Sequence, residues 1–209
     1  LNVFIMLIVV MSTATTILIA QYLGARNKLK LGETCTVSLA FSFVFSSLAA
    51  LGFILYNKTI FSWLGVPPET MDETVLYTTI VGAGLPIQAL YYTFVAVFRG
   101  HSLTRITMYV ALAMNLLHIG SNYLLIFGAG PIPSLGVLGV SISTWLSKLI
   151  GLGLIVWLFR KLLDLDVGWK YLHPFPWETL KGLLRISIPS GGETLSYQLS
   201  QTTIMKMVN

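Results

Sequence analysis

Apolar residues come in runs of about twenty, parted by short polar stretches: Val3 to Tyr22, Thr36 to Tyr56, Val75 to Phe98, Ile106 to Phe127, Val137 to Phe159, and a last run opening near Ile186. A helix needs about 20 apolar residues to cross ~30 Å of hydrocarbon. Each run is about twice the length of a membrane strand and lacks sustained alternation, which excludes a barrel. The pattern predicts an all-α membrane protein, a polytopic transmembrane helix bundle. Two features bend it locally. Pro86, after Gly82 and Gly84, predicts a kink in the third run. Gly24, at the exit of the first, is placed to take a left-handed cap.

Polar residues inside the runs carry the candidate chemistry. Asn115, His118 and Asn122 recur at i, i+3 and i+7, so all three project from one helical face. Ser141, Thr144 and Lys148 repeat that spacing on the next run. Lys148 lies about 11 residues into its span, about 17 Å along the axis and near the bilayer midplane. A charge at that depth is costly and points to function or to a structural pair. Gln88, Tyr91 and Tyr92 lie just beyond Pro86; an amide and two phenol rings suit a flat cation as well as they suit interhelical hydrogen bonding. Glu193, about 10 Å into the last run, is either hydrated from the mouth or part of coupling. Ser12, Thr13, Thr15 and Thr16 read as helix-packing hydroxyls.

Two connections carry structure of their own. Gly65-Val66-Pro67-Pro68-Glu69 is a turn, and Gly128 to Gly136 is an uncharged loop that makes its flanking helices antiparallel neighbours. Residues 160–185 form the one long polar linker. In it Trp177, Leu180, Leu183 and Leu184 share a face opposite Glu178, Lys181 and Arg185, which predicts an interfacial helix ending at Ile188-Pro189. The expected organisation is five spans in 1–159, the linker in 160–185, and the start of a further helix in 186–209.

Composition fits: 55% of residues are hydrophobic and 10% charged, and mean hydropathy is +0.79. Arg26, Lys28, Lys30, Arg99, Arg105, Arg160 and Lys161 all fall in alternate connections. Lys58 stands on the other side with Glu69, Asp72 and Glu73. The positive-inside tendency then makes the Arg99 hinge and the linker cytoplasmic and the Leu1 end external. The net charge of +5 thus reports topology and calls for no nucleic-acid partner. Cys35 stands alone, and His101, His118 and His173 are scattered, so neither a disulfide nor a transition-metal centre is expected. No enzyme motif is present: no His-Glu-x-x-His, no Gly-x-Ser-x-Gly and no phosphate-cradling loop. The chain opens on Leu1 and stops within an apolar run, as a piece of a longer protein is expected to.

Five stretches in order resemble the multidrug and toxic compound extrusion (MATE) transporters: Ala20 to Arg26, Leu64 to Pro67, Phe98-Arg99-Gly100 with Thr104-Arg105, Asn122 to Gly128, and Leu138 to Thr144. The resemblance implies transmembrane helices 2 to 6 of the N-terminal six-helix lobe of a two-lobe transporter, followed by the start of helix 7. It implies a plasma-membrane antiporter that exports cationic or amphiphilic drugs by alternating access, with a proton or sodium as coupling ion and no cofactor. Its partners would be those substrates, the lipid bilayer, and the remainder of its own chain. Family members hold a cation with an Asn and an Asp or Asn on helix 5, a Thr on helix 6 and an Asp on helix 1. The matching positions here are His118, Asn122 and Thr144, with Asn122 and Thr144 the sodium ligands if sodium couples. His118 departs from the Asn of the pattern and favours protons, since imidazole suits sodium poorly. Glu193 follows Pro189 by four residues, too few to match the family's helix 7 Glu. The expected cation and substrate set is therefore Asn115, His118, Asn122, Thr144, Lys148, Gln88, Tyr91 and Glu193. The alternative, a flippase for lipid-linked precursors, needs several Arg or Lys in its cavity, and only Lys148 is so placed.

Overall fold

The computed structural model describes residues 2–63, 65–128 and 134–208, and among them every regular element is helical. In chain order these are α1 (Asn2–Gly24), α2 (Lys28–Trp63), α3 (Pro68–Ala83), α4 (Leu85–Gly100), α5 (Thr104–Phe127), α6 (Gly136–Leu162), a 3₁₀ turn at Trp169–Leu172, and α7 (Trp177–Val208). α1, α2, α5 and α6 are each long and apolar enough to span a bilayer. α3 and α4, a pair bent by 43°, are together long and apolar enough for a fifth crossing. The third apolar run is thus broken as well as kinked. Gly84 is the hinge, and Pro86 takes the second position of α4, where its missing N–H costs no intrahelical bond. A Cβ on Gly84 would lie 2.9 Å from Trp145, so glycine also admits the α6 indole to the bend.

α4 is the centre of the bundle. It packs against α1 and α2 on one side and α6 and α5 on the other, while α1 touches neither α5 nor α6. Small and hydroxyl side chains allow the approach, as lipid-embedded helices require. Thr93 of α4 bonds Ser42 of α2 at 3.0 Å, and Thr15 of α1 pairs with Ser38 of α2 at 3.0 Å. The Thr16 hydroxyl donates to both Ser12 and Ala96 carbonyls, at 3.1 and 3.2 Å. Thr15 and Thr16 thus tie α1 to its neighbours, while Ser12 and Thr13 donate to carbonyls of their own helix. At the basic end Ile19, Leu31, Tyr91, Phe98, Val110 and Phe159 close a core shared by five helices.

Three expectations change. The left-handed residue after α1 is Arg26 (φ 55°) and not Gly24, because the chain runs two residues further before reversing; the Asn27 N–H reaches back to the Tyr22 carbonyl at 3.0 Å. Ser102 (φ 60°) closes α4 in the same way, with the Leu103 N–H on the Phe98 carbonyl at 2.9 Å. The helix opening at Trp177 does not end at Ile188-Pro189 but runs through Pro189 to Val208. Nor does its apolar face stay free of protein, although Trp177 is exposed. Leu180 and Leu183 are buried against Met11, Ala14, Leu18 and Val37 of α1 and α2, and the Thr179 hydroxyl bonds the Glu33 carboxylate. Residues 129–133 of the uncharged loop lie outside the described residues; α5 and α6 on either side are antiparallel neighbours.

Candidate functional site

The α5–α6 seam is where the polar residues meet. Gly139 admits the Leu125 carbonyl so closely that a Cβ would collide with it, and Met114 packs on Gly151 in the same way. That approach brings His118 Nε2 to 3.3 Å from Thr144 Oγ1 and 3.2 Å from Asn122 Nδ2. The Thr144 hydroxyl donates to the Val140 carbonyl at 2.8 Å, which leaves its oxygen as an acceptor. Ser143 ties the seam further by donating to the His118 carbonyl at 3.3 Å. Asn122 Oδ1 is buried and has no hydrogen-bond partner among the described residues. An unpaired buried amide oxygen is costly.

One turn along α6 from Thr144, Lys148 Nζ donates to Gln88 Oε1 of α4 at 2.7 Å. Gln88 is only 8% exposed, and its backbone N–H bonds the Gly84 carbonyl at 3.0 Å. The ammonium is thereby fixed to the α3–α4 bend. His118, Asn122 and Thr144 form one cluster, and Lys148 with Gln88 a second beside it.

The remaining candidates are placed elsewhere. Asn115 is exposed and makes no hydrogen bond among the described residues. Tyr91 is buried in the core, edge-on to Tyr92 at 5.7 Å between ring centres. Glu193 is exposed and lines a groove of about 570 Å³ between α1 and α7, with Thr13, Ser190, Thr194 and Tyr197 among an otherwise apolar lining. Sequence reasoning missed the Ser143 tie and the Glu33–Thr179 link. It also missed the stripe Ser38, Ser42, Ser46 at four-residue spacing, which marks the buried face of α2 and is legible as small residues on one helix side. No group of three or more His, Cys, Asp or Glu able to hold a metal occurs among the described residues.

A family model described as MatE matches residues 1–124. The uncharacterized transporter YisQ of Bacillus subtilis is 36% identical over 205 residues, which cover 98% of this chain and 45% of that protein. The probable multidrug resistance protein NorM of Thermotoga maritima is 30% identical over 196 residues, 89% of this chain and 40% of that protein. Among solved structures, MATE in a bent conformation matches at a TM-score of 0.86 and 23% identity, over 96% of this chain and 44% of that one. An inward-facing multidrug resistance MATE transporter matches at 0.81 and 22% identity, over 90% and 42%. The chain spans less than half the length of the curated relatives it matches. A family model over more than half its residues, and a relative above 30% identity along nearly all of it, settle the descent of these helices: the chain belongs to the MATE family of transporters.

Proposed function

We propose that these helices form most of the first lobe of a cation-coupled antiporter that exports organic cations or drugs by alternating access. One observation carries the reading: a buried Asn122 oxygen without a partner stands beside a histidine whose single ring nitrogen faces two groups. With Nε2 bare, the ring accepts from the Asn122 amide, and Oδ1 is left open to a cation. With a proton on Nε2, the ring donates to Thr144, and a turned Asn122 amide gives its oxygen to the same N–H. Proton and metal cation thus compete for Asn122 Oδ1, which is what coupling to either ion requires. The chemistry of the cluster favours the proton, since imidazole is a poor partner for a hard cation. The groove at Glu193 has the volume of a drug-sized site and sets one carboxylate and four hydroxyl side chains beside Met6, Val9 and Val10, which suits an amphiphilic cation.

The test is ion-driven efflux from vesicles that hold the full-length protein, with His118→Ala and Asn122→Ala compared at equal insertion. Both variants are expected to lose most of the gradient-driven flux. Undiminished transport by both removes the cluster from the mechanism.

A further inference from the structure

The Lys148–Gln88 pair does a different job from the His118 cluster. Lys148 has three N–H donors and spends one on Gln88 Oε1. The Gln88 amide nitrogen has no acceptor among the described residues. The pair therefore offers donors and positive charge at one point, with its one good acceptor already taken.

Among the described residues nothing nearby neutralises it. α1, α4, α5 and α6 contain no Asp or Glu at all. Glu33, the one acid of α2, sits at the far basic end and is engaged by Lys30 and Thr179. The acids of α3 are Glu69, Asp72 and Glu73 in its opening turns, and Glu73 is about 16 Å along the axis from the Gly84 bend. Among the described residues no carboxylate forms an ion pair with Lys148. A lysine held this deep without a counter-ion is costly unless an anion comes to it.

We infer that Lys148 and Gln88 form an anion site that binds the carboxylate of a solute carried by this protein. The solutes it selects are then amphiphilic cations that also bear a carboxylate, that is, zwitterions. The donor set decides the class. One ammonium and one amide N–H₂ match a single carboxylate, with its two acceptor oxygens; a pyrophosphate needs several cations around it. The position suits a transported group, because Gln88 follows directly on the α3–α4 bend and Lys148 lies one turn from Thr144. The inference rests on the transport reading only for how the solute reaches the site. The same carboxylate could instead belong to a segment of the protein outside these residues, and the experiment separates the two sources.

The probes are a fluorescent aromatic amine with a free carboxylate and its methyl ester. Both are measured by equilibrium binding to the full-length protein in detergent and by flux in vesicles. Wild type is expected to bind the acid about tenfold to a hundredfold more tightly than the ester, the range for a hydrogen-bonded charge partner. Lys148→Gln should abolish that preference while leaving ester binding within about twofold, and Lys148→Arg should retain it. If wild type does not discriminate acid from ester, the inference is overturned without recourse to any variant. It is equally overturned if Lys148→Gln weakens both probes alike and lowers the melting temperature, because the carboxylate then comes from the protein itself. Acid preference in binding without gradient-driven flux of either probe sinks the transport reading and leaves the anion site standing.

Discussion

His118 has Thr144 and Asn122 on the same ring nitrogen, at 3.3 and 3.2 Å, and one nitrogen cannot donate to the first while accepting from the second. Which hydrogen the ring carries therefore decides which neighbour is served. His118→Asn keeps an amide in reach of Thr144 but removes the imidazole. A proton gradient should drive export by wild type in vesicles and fail to drive export by His118→Asn; equal proton-driven flux in the two proteins rules His118 out as the proton carrier. The sequence made His118, Asn122 and Thr144 legible because helical spacing alone puts them on facing stripes. Asn115 lies only about 20° round the helix from Asn122, two turns away, and is exposed outside the hydrogen-bonded cluster.

At the scale of elements, hydropathy located the long apolar helices because lipid imposes the length of an apolar helix whatever its neighbours are. What hydropathy cannot rank is how closely two such helices approach. That is set by residues with almost no hydropathy signal, and Gly139 is the clearest of them. Gly139→Ala should force α5 and α6 apart by driving a methyl into the Leu125 carbonyl, at a cost of about 1 to 3 kcal/mol. Gly153→Ala, on the same helix with nothing within 4 Å, should be neutral or stabilising. Thermal unfolding in detergent, followed by the accessibility of a buried thiol, compares them; equal melting temperatures would mean that the seam can spread at no cost. α7 was misread for a related reason. An amphipathic turn beginning at Trp177 looks the same whether its leucines meet lipid or protein, and only tertiary contact with α1 and α2 tells them apart. Pro189 reads as a stop in a soluble protein, whereas membrane helices tolerate proline where neighbouring groups take up the freed carbonyl.

At the scale of the whole molecule, the helices alternate in direction, and the ends of α1, α2, α4 and α6 converge on one surface with Arg26, Lys28 and His101 around it. The linker folds back onto this surface: Tyr171 packs on Gly32, and the Gly168 N–H meets the Thr36 hydroxyl at 3.4 Å. Charge is therefore sorted by face, with the basic connections and the linker on one side and Glu69, Asp72 and Glu73 on the other. The positive-inside tendency predicts that the basic side faces the cytoplasm. Cys35 makes the test clean, since its thiol is fully buried and burial hides it from a membrane-impermeant maleimide. In a full-length background freed of any other cysteine, Asp72→Cys should be labelled on intact cells. Asp166→Cys, in the linker, should be labelled only after the membrane is opened. The reverse pattern would turn the molecule over: the linker would then face outward, and Glu69, Asp72 and Glu73 would face the cytoplasm.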